Sequence, residues 1–176
     1  MRLETERLII REFTPADAEG LVRFASDKAI TRWLPDWEDS PKWIGWWFGK
    51  LEENYRKNAP LEDFLAYAIV EKASGIIVGH LGCGDFDKFG EKELGVCYVT
   101  DPARMGKGYA TEAMAAFADH LLQTYGQEYL IATIQPDNLS SIRVAEKTGF
   151  RFVRSFEMVD NGQTEALPFH YYRKYP

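Results

Sequence analysis

The stretch from Val96 to Ala113 (VCYVTDPARMGKGYATEA) concentrates the residues whose types and spacing can do chemistry. An apolar run stops at Asp101-Pro102, and a loop containing Gly106 and Gly108 opens directly into a helix-forming segment. The first-turn N–H groups of such a helix lack intrahelical partners, and the macrodipole places about half a positive charge there. Gly106 and Gly108 remove side chains that would hold an anion away, small Ala110 keeps the same space open, and Lys107 adds a point charge. The run Met105, Gly106, Lys107, Gly108, Tyr109, Ala110 therefore describes a main-chain seat for a phosphorylated ligand. Two familiar phosphate loops are excluded. A P-loop needs Ser or Thr after its lysine, where Gly108 stands, and a dinucleotide fingerprint needs a third glycine near Thr111.

The elements that must position this loop follow from periodicity and punctuation. Leu8-Ile9-Ile10 reads as a first strand, and Thr14-Pro15 opens a helix to about Ala25. Ser40-Pro41 repeats that opening before a tryptophan-rich helix ending near Lys57. Segments 64–71 and 76–81 form a hairpin around Lys72-Ala73-Ser74-Gly75, and Glu93 to Thr100 is a further strand. From Gly108 to Gln123, Ala110, Ala113, Met114, Phe117, Leu121 and Leu122 recur at helical spacing. A strand at 129–134, a helix from Leu139 to Lys147 closed by Gly149, and strands at 152–159 and 166–174 complete a mixed α/β chain. No repeat or low-complexity linker divides it, so residues 1–176 read as one domain.

Composition narrows the function classes. A net charge of −6 argues against non-specific nucleic-acid binding and favours a cationic partner. The amino terminus shows no apolar leader, and the longest apolar-looking stretch, Trp43 to Phe48, is far too short to span a bilayer. These point to a cytoplasmic protein without a membrane partner. Cys83 and Cys97 both fall in apolar runs and read as buried free thiols. His80, His120 and His170 show no metal-ligand spacing, so no metal is expected.

The segment Met105-Gly-Lys-Gly-Tyr-Ala resembles the Q/R-x-x-G-x-G/A signature of the GNAT acetyltransferase superfamily, and its continuation Thr-Glu-Ala resembles the RimJ/RimL branch. Thr5-Glu6-Arg7-Leu8-Ile9-Ile10-Arg11 is similar to that branch's opening strand, and Asn138 to Phe150 is similar to its N-x-x-S-x-x-V-x-E-K-x-G-F helix. The resemblance implies an α/β (α+β) fold: a central, mixed, mostly antiparallel twisted sheet of six to seven strands flanked by about four helices. It implies acetyl-CoA as cosubstrate, its pyrophosphate held by the loop amides, and an amine acceptor such as a protein N-terminus or a small molecule. Homodimers are frequent in that family. Two departures stand out: Met105 replaces the usual opening residue, and the Glu93 strand runs about two residues longer than the pattern.

Acetyl transfer from a thioester to an amine needs a neutral amine, donors for the oxyanion, and a proton for the departing thiolate. By resemblance, the strand Tyr98-Val99-Thr100 borders the pantetheine arm, with the amide of Val99 or its neighbour as the oxyanion donor. Family members often protonate the thiolate with a helix tyrosine, a position occupied here by Ala145; the branch instead places a serine, which maps to Ser141. Asn138 shares that helix face, with helix capping as the competing role. Glu93 and His80 are the candidate general bases. Trp33, Trp37, Trp43, Trp46 and Trp47, with Asp36, Glu38 and Asp39, occupy the region that walls the acceptor site in the family. A non-catalytic acyl-CoA-binding module and an unrelated nucleotide-binding domain remain the alternatives.

Overall fold

Runs of β-branched and aromatic residues with period-two alternation build a single sheet in the computed structural model, which describes residues 1–160 and 164–176. The strands are β1 (Arg2–Glu4), β2 (Leu8–Glu12), β3 (Leu65–Glu71), β4 (Ile77–Phe86), β5 (Glu93–Thr100), β6 (Leu130–Ile134), β7 (Arg151–Met158) and β8 (Leu167–Lys174). They lie in the order β1-β2-β3-β4-β5-β6-β8-β7. Every neighbouring pair is antiparallel except β5 and β6. The helices are α1 (Ala18–Ala25), α2 (Lys28–Thr31), α3 (Ser40–Lys57), α4 (Tyr109–Tyr125) and α5 (Leu139–Lys147).

This is the expected mixed architecture, with eight strands among the described residues rather than six or seven, and five helices rather than about four. The additions are the elements too short to carry a period: β1 has three residues and α2 a single turn. The helix expected from Thr14 begins instead as a 3-10 turn over Pro15–Asp17 before α1. β4 extends five residues past its expected end at Leu81, because Gly82 and Gly84 interrupt the apolar pattern without interrupting the ladder.

Both faces of the central strands are covered. Ala66, Ala68 and Val70 of β3 pack with Leu21, Phe24, Phe48 and Leu51 from α1 and α3. Leu65, Tyr67 and Ile69, the alternate positions, pack with Met114, Phe117 and Leu121 of α4. α4 is also the crossover that returns the chain from β5 to lie parallel beside it as β6, a connection that parallel strands require. Among the described residues no helix is long and apolar enough to cross a membrane.

β4 and β5 approach closely because β4 has glycine where a side chain would collide. A Cβ on Gly79 would overlap the carbonyl oxygen of Val99, and one on Gly82 would lie 2.7 Å from Cys97 Sγ. By contrast, a Cβ on Gly45, inside α3, meets nothing within 4 Å. Gly79→Ala is therefore expected to cost about 1–3 kcal/mol of stability through overpacking. Gly45→Ala should gain roughly 0.5–1 kcal/mol from helix propensity. Urea unfolding of the two variants checks both signs.

Candidate functional site

β5 and β6 share one bridging pair, Gly95 with Ile131. Beyond it β5 stays with β4, through Val96 to Thr100, while Ala132 to Ile134 stay with β8. The sheet splits between them, and the opening is a cleft of about 670 Å3 that reaches from the glycine loop to α5. Its polarity can be read from the ladder. Asp101 donates its N–H to Val78 O at 2.9 Å, and the β4–β5 register is unbroken from Thr100 back to Glu93. Alternation then turns the amides of Cys97, Val99 and Asp101 toward β4, and those of Val96, Tyr98 and Thr100 toward the gap. Of the expected oxyanion donors, the Val99 amide itself is turned to β4, and those of its neighbours Tyr98 and Thr100 face the cleft.

The loop has the conformation its glycines permit. Gly106 and Gly108 adopt φ of 78° and 79°, values that favour glycine. The bond from Glu112 N to Gly108 O, 3.0 Å, starts α4, so the amides just before Glu112 have no helical acceptor and point out of the helix end. Met105, Gly106, Lys107 and Gly108 are all exposed; a Cβ on Gly106 would meet nothing within 4 Å, and one on Gly108 would meet only Arg7 Nη2, at 3.5 Å. Tyr109 contributes main chain only: its hydroxyl donates to Glu71 and its ring lies under the Arg7 guanidinium. Ala110 and Thr111 complete the seat along the cleft wall.

A clamp behind the loop holds it open. Glu112 accepts from Thr5 Oγ1 at 2.6 Å, from Arg7 N at 2.8 Å and from Arg7 Nε at 2.7 Å. Arg7 in turn donates through Nη1 to Lys107 O at 2.9 Å. Burial alone would raise the Glu112 carboxyl, but the bonds from Thr5 and Arg7 outweigh it and keep the group below its ordinary range. The Thr5-Glu6-Arg7 motif and the Glu of Ala-Thr-Glu-Ala are thus one device. Each piece resembles a family pattern by itself, yet no spacing rule connects residues so far apart along the chain.

The opposite wall is α5. Asn138 caps it: Oδ1 accepts from Ser141 N at 3.2 Å and from Ser140 Oγ at 2.9 Å. Capping and ligand contact are compatible here, because Asn138 also lines the cleft and its amide N–H groups stay available as donors. Ser141 faces Tyr98 across the split, hydroxyl to hydroxyl at 2.9 Å. Arg143 and Lys147, one turn apart on α5, line the cleft beside Arg104 and give a chain of net charge −6 a basic rim. On the facing β5 wall, Thr100 Oγ1 is buried without a hydrogen-bond partner. Free amides, basic rim and an orphaned hydroxyl together suit linked phosphoryl groups carrying an amide-bearing arm, as in coenzyme A. Among the described residues no three His, Cys, Asp or Glu side chains converge as a metal site would require.

The two candidate bases lie off the cleft. Glu93 stands before the split, where its carboxylate accepts from Tyr129, Tyr171 and Arg173 and ties β5 to β8. His80 is 2% exposed and stacked on Trp37 at 4.7 Å, and burial depresses it to about 3. Strand parity explains His80, since it shares the α1–α3 face with its partner Val99. Cys83 is buried as expected, whereas Cys97 is exposed on the cleft because β6 has already diverged beside it. Protein still surrounds most of that thiol, and burial pushes it up to about 11. Of the tryptophans, Trp33 reaches the cleft lining, while Trp37, Trp43 and Trp47 pack edge-on against one another.

His80 gives a stability prediction with a definite sign. Its folded pKa lies below the ordinary 6.5, so between about pH 6.5 and 3 the unfolded chain binds a proton that the folded chain refuses. Stability should fall on acidification through this window, by at most about 1.4 kcal/mol per pH unit from this residue. His80→Phe should flatten that slope in denaturant melts across the window. An unchanged slope would contradict the burial assignment.

The model of the Acetyltransferase (GNAT) domain family matches residues 7–151. An uncharacterized N-acetyltransferase of Bacillus subtilis, YnaD, is 28% identical over 155 residues, which cover 86% of this chain and 83% of that one. A GNAT-family acetyltransferase structure from Bacillus anthracis superposes with a TM-score of 0.78 at 28% identity, covering 99% and 98% of the two chains. The fold is shared with Mycobacterium smegmatis RimJ, solved in complex with CoA-disulfide, at a TM-score of 0.78 and 21% identity over 96% and 81%. The family match takes in the glycine loop, its Arg7–Glu112 clamp and both walls of the split, and the chain accordingly belongs to the GNAT acetyltransferases, a family of acyltransferase enzymes.

Proposed function

We propose that residues 1–176 act as one domain that transfers an acetyl group from acetyl-CoA to a primary amine by direct attack on the thioester. The observation that carries this reading is the continuity of one cleft from the open helix end at Gly108 to the parted edge of β5. The amides of Gly106 to Thr111, with Arg104, Arg143 and Lys147, bind the phosphoryl groups. Thr100 and Asn138 bond the pantetheine arm. The Tyr98 N–H, a fixed dipole at a strand edge, donates to the oxygen that becomes charged during attack. Ser141 faces the sulfur and protonates it as it leaves.

The acceptor reading rests on where the two candidate bases lie. With Glu93 engaged by three donors and His80 neutral and sealed, neither candidate base reaches the amine. An α-amine, with a pKa of about 7.7–8.0, is substantially neutral near pH 7.5, whereas a lysine amine at about 10.4 is not. The site therefore favours a protein N-terminus or a small amine of similarly low basicity. Trp33 and Asp160 also line the cleft and are the groups assigned here to the acceptor.

A panel of peptide α-amines, lysine side chains and small amines, assayed for free thiol from acetyl-CoA, tests this directly. Thiol release should require an amine and should favour the α-amines by at least about tenfold near neutral pH, reflecting their neutral fraction. Gly108→Glu, which forces a side chain onto a backbone at φ 79° and against Arg7 Nη2 of the clamp, should distort the loop and weaken coenzyme A binding by about tenfold or more while the circular dichroism spectrum stays native. Binding without amine-dependent release would mark a non-catalytic module, and undiminished binding in Gly108→Glu would remove the loop from the site.

A further inference from the structure

Ser141 alone is a weak acid, since an aliphatic hydroxyl resists giving up a proton far more than a thiol does. Its surroundings supply what it lacks. The phenol of Tyr98 reaches across the split from β5 to α5 and lies 2.9 Å from Ser141 Oγ and 3.2 Å from Ser141 O. Both residues line the cleft and both are half-buried. We infer that Tyr98 is a positioning residue that acts through Ser141, backing its hydroxyl with a second proton so that the pair can neutralise the departing thiolate. The inference rests on the acetyl-transfer reading proposed above.

The two distances describe two hydrogen-bond patterns, because Tyr98 has one proton to give. Directed at Ser141 O, it leaves Ser141 free to donate back to the phenol, and the pair is closed. Directed at Ser141 Oγ, it turns the serine proton toward the cleft, and the pair is open. A sulfur gaining negative charge selects the open pattern, since only that pattern offers it a donor. As the C–S bond breaks and its electron pair settles on sulfur, Ser141 passes its proton to sulfur and takes the Tyr98 proton in its place. The attacking nitrogen loses a proton to solvent, and solvent returns one to the Tyr98 oxygen, so protons balance over the cycle.

Two further observations agree. Ser141 is the third residue of α5, where the helix N-terminus favours negative charge on the oxygen or sulfur beside it. Burial pushes the Tyr98 phenol up to about 12, with the bond to Ser141 opposing, so near neutral pH the phenol keeps its proton and remains a donor.

The test is a double-mutant cycle on Tyr98→Phe and Ser141→Ala, with two readouts. In turnover, each single variant should lose roughly a hundredfold in kcat, within the range of proton-transfer catalysis, with KM for acetyl-CoA changed by less than about threefold. The double variant should be no slower than Ser141→Ala, because the two hydroxyls act in series. In binding, the thiolate ultraviolet absorbance of bound coenzyme A at a fixed mildly alkaline pH should fall in Tyr98→Phe and Ser141→Ala alike. That readout needs no turnover, so it separates this proposal from the acceptor reading: an inactive wild type that still shows the Tyr98-dependent thiolate signal overturns only the latter. Full kcat and undiminished thiolate absorbance in Tyr98→Phe would overturn the proposal, as would losses that multiply in the double variant or appear only in KM.

Discussion

The structure depends on an incomplete pairing: two parallel strands that touch at Gly95 and Ile131 and then part. Backbone N–H and C=O groups are obligatory hydrogen-bonding groups, and leaving them unpaired in an interior costs about 1–3 kcal/mol each. A sheet that opens in its middle is therefore stable only if each strand is fully held on its other side, and here each is. β5 is bonded along its whole length to β4, and β6 along its whole length to β8. Glu93, accepting from Tyr129, Tyr171 and Arg173, binds the strands together just before they separate. The edge of β5 left over is a row of oriented dipoles waiting for a ligand, and it begins next to a helix end with the same property.

The rest of the site preserves that opening. The Arg7–Glu112 clamp fixes the loop from behind through the Lys107 carbonyl, so the forward amides stay free. Gly79 and Gly82 let β4 lie close enough to hold β5 without help from β6. Tyr98 and Ser141 bridge the gap by side chains where the backbones do not, which couples the strand wall to the helix wall at the position to which the proposed mechanism assigns the sulfur. Arg104, Arg143 and Lys147 give the cleft of an otherwise acidic chain a locally basic rim, complementary to the polyanion proposed to enter it.

What was legible in the sequence was local. The loop from Met105 to Ala110 and the helix Leu139–Lys147 could be read because glycine punctuation, proline breaks and helical spacing are properties of neighbours in the chain. β1 and α2 escaped because three or four residues hold no period. The sites of chemistry that escaped are all long-range. Nothing in the order of residues says that Arg7 reaches Glu112, or that Tyr98 meets Ser141. His80 and Glu93 looked eligible as bases because residue type is visible and strand parity is not; the ladder register turns His80 into the α1–α3 core and leaves Glu93 short of the split. Cys97 was read as buried for the same reason, since its exposure comes from the departure of β6 and not from its own neighbours.

The most direct test of this account is a crystal structure with acetyl-CoA bound. The pyrophosphate should rest on the main-chain amides of residues 106–111, and the thioester carbonyl oxygen should accept from the Tyr98 N–H, with β5 and β6 still joined only at Gly95 and Ile131. A structure in which those strands close into a continuous ladder, or in which the thioester lies away from the β5 edge, would contradict it.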